Sequence, residues 1–178
     1  MVQIFSCFLG VLGGESFRSL RSRLAKIVSG GQTGVDRGAL DAALDADFAC
    51  GGWCPEGRLA EDGVIPARYP LAELADGGYQ ERTLQNVLDS DGTAIFYCGE
   101  LEGGTRQTAL FCQEHHKPCE LLNAERLTPE QAARELAAFV TAGGISVLNV
   151  AGPRASKWPE AHQYAYAAVT QLLHMNRR

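Results

Sequence analysis

Lysine is nearly missing from this chain: there are 3 among 178 residues, against 13 arginines. Acidic residues outnumber the two together, 21 to 16, for a formal net charge of −5. That balance excludes the broad basic surface that duplex DNA, RNA or an anionic membrane would require. No apolar run approaches the roughly 20 residues needed to span a bilayer. The six cysteines include no C-x-x-C pair, and 46% hydrophobic residues suffice for a core without cross-links. The thiols therefore read as reduced and mostly buried, and the compartment as cytoplasmic. With 21% charged residues the composition is that of an ordinary globular domain, not of a disordered, collagenous or coiled-coil chain.

Residues 1–25 stand apart. Met1 to Leu12 is apolar, but Arg18, Arg21 and Arg23 follow the apolar run instead of preceding it, the wrong polarity for a secretory signal. The segment reads as a loosely ordered extension, or as a start codon placed too early, and residues 26–178 as one ligand-binding domain.

What the chain does have is 20 glycines and a regular alternation of short apolar runs with amphipathic ones. Strands are expected at Lys26–Ser29, Asp47–Cys50, Thr93–Cys98, Glu120–Leu122 and Ile145–Val150. Helices are expected at about Val35–Asp45, Tyr79–Leu88, Thr105–His116, from Pro129 behind a Thr128 cap to near Gly143, and from Pro159 to about His174. A long loop fills 51–78. Strands alternating with helices imply a three-layer α/β/α, Rossmann-like domain with a mostly parallel sheet of about five strands. Such sheets bind ligands beyond the carboxyl ends of their strands, so the chemistry of the site is expected in those loops.

Four of them combine glycine with arginine. After the first strand come Gly30, Gly31, Gln32, Thr33 and Gly34, with Asp36 and Arg37 in the following helical turn. After the third come Gly103, Gly104, Thr105 and Arg106, and after the last Gly152, Arg154, Ser156 and Lys157. The long loop adds Trp53, Arg58, Glu61, Asp62 and Arg68. Glycine lets backbone N–H groups approach an anion at a helix N-terminus, and arginine offers a charged planar fork. Together they predict a locally basic pocket for a phosphate-bearing or polyanionic small molecule, with Trp53 available to stack on a flat ring. Each loop taken singly is also compatible with a tight turn, and Asp36 and Arg37 with a surface pair. Cys112, His115, His116 and Cys119 lie within eight residues, but zinc ligands normally come as separated pairs, so no structural metal is expected.

The stretches GGQTGVDRGALDAA, GGWCPEGRLAEDGVIPARYPL, RTLQNVLDSDGTAIF, the GGT at Gly103–Thr105 and NVAGPRAS, in that order, resemble the family of putative molybdenum carriers. That family sits in a wider Rossmann-like nucleotide-binding group that includes the lonely-guy hydrolases. The resemblance runs from Lys26 to the end. It implies binding of molybdenum cofactor as cargo, or of a related phosphorylated pterin, molybdate-type oxyanion or nucleotide, and assembly as a homo-oligomer, either a dimer or a tetramer. The hydrolases carry G-G-x-G-T-x-x-E; here the Glu position holds Thr108, whose hydroxyl cannot do a carboxylate's acid–base work at neutral pH. The expected function is thus a non-catalytic carrier, with no catalytic residue assigned. Two alternatives are a nucleotide or nucleotide-sugar hydrolase using Glu61 or Asp62 as base, and a ligand-sensing regulatory protein.

Overall fold

The computed structural model describes residues 23–177. The reading of 1–25 as an extension therefore falls almost wholly outside the described residues. The chain runs β1 (Lys26–Val28), α1 (Val35–Asp45), β2 (Cys50–Gly51), then a connection containing β3 (Trp53–Pro55), a 3-10 turn at Glu56–Arg58, β4 (Leu59–Ala60), β5 (Gly63–Val64) and β6 (Ala72–Leu74). It continues as α2 (Tyr79–Leu88), β7 (Gly92–Tyr97), α3 (Gly103–Glu114), β8 (Cys119–Asn123), α4 (Pro129–Gly143), β9 (Val147–Ala151) and α5 (Ala161–Asn176). The main sheet has five strands in the order β2-β1-β9-β7-β8, and every pairing in it is parallel. This is the three-layer α/β/α arrangement expected from the alternation.

Local chemistry sets the element ends. At the start of α4 the Thr128 hydroxyl accepts the Gln131 N–H at 3.4 Å and the Gln131 side chain accepts the Thr128 N–H at 2.8 Å, a reciprocal cap with Pro129 at the first helical position. Gly144 closes the same helix in a left-handed conformation at φ 60°. The strand expected at Asp47–Cys50 begins only at Cys50, because Asp47 takes φ 49° and Phe48 returns its N–H to the Ala43 carbonyl at 2.8 Å, finishing α1 before the chain can extend.

Helices α1, α4 and α5 pack together on one face of the sheet. Their buried alanines, with Leu136, Val169, Leu172 and Leu173, meet Phe96, Leu148 and Val150 from the strands. Helices α2 and α3 pack against each other, and α3 also lies against β7 and β8. The long connection after β2 is not the unstructured loop expected from its prolines and glycines. It folds as a parallel pair, β3 with β6, and a small hairpin, β4 with β5. Strands of two or three residues are too short to show an alternating pattern. Arg58 binds the segment together by donating to the carbonyls of Ile65, Pro66, Tyr69 and Leu71 at 3.0–3.2 Å. Among the described residues no helix is long and apolar enough to cross a membrane.

Candidate functional site

β9 lies at the centre of the sheet. From β1 the chain moves outward to β2, and from β7 it moves outward the other way to β8, so the strand order reverses over β9. A crevice opens at that point beyond the carboxyl ends of the strands. It encloses a cavity of about 870 Å³. Gly30 and Gln32 line it from the loop after β1; Cys98, Gly99, Glu100 and Glu102 from the loop after β7, with Gly103 and Gly104 at the start of α3; Gly152, Pro153, Arg154 and Lys157 from the loop after β9. One wall is α2, through Tyr79, Arg82, Thr83 and Asn86, while Thr105, Gln107 and Thr108 come from α3. Asn149 of β9, buried, donates to the Thr93 hydroxyl of β7 at 3.3 Å and also lines the cavity, as does Trp158.

Arg82 crosses from α2 to the loop after β1. Its Nη1 lies 3.1 Å from Oδ2 of Asp36, and the two side chains are only 13% and 5% exposed. Asp36, in the first turn of α1, also accepts the Gln32 N–H at 3.2 Å. Burial pushes the Asp36 carboxyl above its ordinary range, while the Arg82 guanidinium acts in the opposite direction. Among the described residues the buried Nε of Arg82 has no hydrogen-bond partner.

A second cluster ties the ligand-side loops to one another. Glu61 accepts hydrogen bonds from the hydroxyls of Thr33 and Ser156 and from the Ser156 N–H at 3.2 Å, and lies 3.3 Å from Arg154 Nε. Thr33 in turn accepts the Ala155 N–H at 3.1 Å. Burial acts to raise the Glu61 carboxyl, but the Ser156 and Thr33 donors and the Arg154 charge outweigh it and hold it below its ordinary value. Next to it, Arg37 grips Asp62 through both terminal nitrogens at 2.6 and 2.7 Å and donates from Nε to the Gly31 carbonyl at 3.1 Å. The Arg37 hydrogen bonds hold the Asp62 carboxyl low. At Gly34, φ is 79° and a Cβ would sit 2.5 Å from the Pro153 carbonyl oxygen, so the loops after β1 and β9 meet backbone to backbone.

The residues expected at the ligand end therefore divide. Gly30, Gln32, Gly103, Gly104, Thr105 and Arg154 line the cavity. Gly31, Thr33, Gly34 and Ser156 stand behind it, in the contacts that join the loops. The expected convergence of five arginines does not occur: Arg37 is held by Asp62, Arg58 by four carbonyls, Arg68 by Asp41 at 2.8 Å, and Arg106 is exposed outside the cavity wall. Only Arg154 of the five lines the cavity. Trp53 does not face it either. Its indole N–H donates to Asp89 at 2.7 Å, beside a smaller groove separated from the main cavity by Asn86. Asn86 is buried and brackets the Trp53 backbone, accepting its N–H at 2.8 Å and donating to its carbonyl at 3.0 Å.

Sequence reasoning passed over Arg82, Asn149 and Trp158. Arg82 sits in mid-helix with no glycine beside it, and its buried acidic partner is 46 positions away. Glu61 and Asp62, considered as bases for a hydrolase, are both spent on loop contacts and do not line the cavity. Thr108, at the hydrolase glutamate's position, donates to the Gly104 carbonyl within its own helix at 2.9 Å. Cys112 is buried whereas His115 and His116 are exposed, and among the described residues no group of three His, Cys, Asp or Glu could hold a metal ion.

Comparison with known proteins identifies relatives of the whole domain. The model of the circularly permutated YpsA SLOG family matches residues 27–173. The crystal structure of a protein from Syntrophus aciditrophicus SB, named putative molybdenum carrier protein, superposes with a TM-score of 0.83 and is 44% identical, covering 85% of this chain and 96% of its own. No curated protein matches. A family model spanning nearly the whole described domain, and a crystal structure this similar over the same domain, place the chain plainly: it belongs to the circularly permutated YpsA SLOG family.

Proposed function

We propose that the protein is a carrier that holds a phosphorylated pterin or nucleotide-like molecule, molybdenum cofactor foremost, in the crevice over β9 and releases it unchanged. The observation that carries this reading is the cavity. At about 870 Å³ it falls in the upper part of the roughly 300–1,000 Å³ range of small-molecule sites and is far larger than a single tetrahedral oxyanion needs. Its wall supplies amides from Gln32, Gln107 and Asn149, groups suited to the polar edge of a heteroaromatic ring. The 44%-identical protein named as a molybdenum carrier supports the same reading.

In this proposal Gly30, Gln32, Gly103, Gly104, Thr105 and Arg154 contact the cargo together with Asn149 and Lys157. Gly31, Thr33, Gly34 and Ser156 keep the loops in register. The carboxylates considered for cleavage are engaged elsewhere, which favours carriage over hydrolysis. Calorimetric titration with molybdenum cofactor, molybdate and a nucleotide panel tests the reading, with mass spectrometry of the recovered ligand. Saturable binding of an organic cargo recovered intact is expected; failure to bind any of them, or recovery of cleaved product, overturns it. Self-association into a dimer or tetramer belongs to the same proposal and is measured by sedimentation.

A further inference from the structure

We propose that Cys112 and Cys119 form a redox-active dithiol, a site at which hydrogen peroxide reversibly converts the two thiols into a disulfide that ties α3 to β8. The inference goes beyond the carrier reading and does not depend on what the crevice holds.

The turn between α3 and β8 brings the two cysteines together. Helix α3 ends at Glu114, and His116 takes φ 52°, a left-handed conformation that reverses the chain. The Lys117 N–H returns to the Cys112 carbonyl at 2.9 Å, and Cys119 is the first residue of β8. Cys112 thus lies in the last turn of a helix that packs on the strand Cys119 opens. Side-chain direction agrees. Alternate residues of a strand face opposite sides of a sheet, and Ala94, Phe96 and Leu122 belong to the core under α1, α4 and α5. Thr93 and Cys119, partners in the β7–β8 register, therefore face the other side, where α3 holds Cys112 at 1% exposure.

Two properties of the pair suit oxidation. Both thiols are free, Cys112 buried and Cys119 partly exposed, so an oxidant reaches one sulfur while the other stands behind it. They also act on one another. The Cys119 thiol pulls Cys112 down to about 7, against the effect of burial and with help from the Thr93 hydroxyl and the Lys117 charge. The contact with Cys112, burial and the Glu120 charge push Cys119 up. In such a pair the first proton lost belongs to both groups, so near neutrality one thiolate is shared by the two sulfurs.

The chemistry balances with peroxide as the only co-reactant. The Cys119 thiolate attacks one oxygen: an S–O bond forms, the O–O bond breaks, and the departing hydroxide takes up a proton, matching the one the pair gave up. Cys119 is then a sulfenic acid. Cys112 attacks its sulfur, the S–S bond forms, the S–O bond breaks, and the hydroxyl leaves with the Cys112 proton as a second water. Two thiols are oxidised to one disulfide and one peroxide is reduced to two waters. Dithiothreitol restores the thiols by exchange.

The test is peroxide treatment of the full chain, followed by unfolding and cleavage after Glu114, which puts the two cysteines in different peptides. Wild type is expected to lose two hydrogens by mass, to yield those peptides joined until dithiothreitol is added, and to do so before exposed Cys98 is oxidised. The rate should reach half its maximum near pH 7. In Cys112→Ala no bridge forms, and dimedone should trap a sulfenic acid on Cys119 only at higher pH, because the thiol that shared its proton is gone. Cys119→Ala should leave Cys112 inert to peroxide, with no reachable sulfur in front of it. A wild type without the Cys112–Cys119 linkage, its peroxide consumed at Cys98 or in sulfinic acid at Cys119, overturns the proposal without recourse to any variant. A rate that climbs only above about pH 8.5, as for an ordinary thiol, overturns the shared proton.

Discussion

The guanidinium of Arg82 lies against Gly30, in the space a side chain at that position would need. The obstacle is the far end of a flexible side chain, so Gly30→Ala is expected to fold with Arg82 displaced from Asp36. The cost is that of a buried carboxylate losing its partner, about 1–3 kcal/mol. Chemical denaturation measures that loss.

Arg58 and Arg37 are expected to matter for stability and not for cargo. Arg58→Ala strips a donor from four carbonyls, so a loss of about 3 kcal/mol or more is expected, with new protease cleavage between residues 56 and 74. Arg37→Ala breaks a pair whose acid is half exposed, for about 1 kcal/mol or less. Cargo affinity in Arg37→Ala should stay near that of wild type in the calorimeter.

The chain has two tryptophans, and only Trp158 lines the main cavity. Cargo binding is expected to change the emission of a Trp53→Phe variant and to leave that of Trp158→Phe unchanged. A response that follows Trp53 instead would put the ligand in the smaller groove beside Asp89.

Acid should loosen the knot of loops. The Glu61 and Asp62 carboxyls are both held below their ordinary values of 4.5 and 3.8. Groups depressed in the folded state stabilise it fully above those ordinary values and lose the contribution as pH falls through the folded ones. The advantage of wild type over Glu61→Gln in thermal midpoint is therefore expected to be constant from neutrality to about pH 5 and to shrink below about pH 4.

Which parts of this were readable from the letters follows from how local each determinant is. α1 and α2 begin and end where hydrophobic spacing put them, and Thr128, Pro129 and Gly144 mark α4 through contacts within a turn of the chain. The position of the crevice followed from alternation alone. Its charge did not. Asp36 and Arg37 are adjacent in sequence and were considered as a pair, but neighbours on a helix point in different directions. Asp36 turns inward to Arg82, and Arg37 turns outward to Asp62, 25 positions on. Arginine beside glycine reads as a sign of ligand contact. In Arg58 the same pairing serves to satisfy carbonyls in a loop too irregular to satisfy its own.

The strand at the centre of the sheet is the last of the described strands. β1 pairs with β2 and β7 with β8, but the two pairs share no edge until β9 enters between them. During synthesis the first four strands of the main sheet leave the ribosome as two separate halves, each with an open edge facing the gap. The sheet closes, and the crevice with it, only once the chain has been made past Ala151. A pocket that needs β9 cannot hold cargo before β9 has taken its place between β1 and β7.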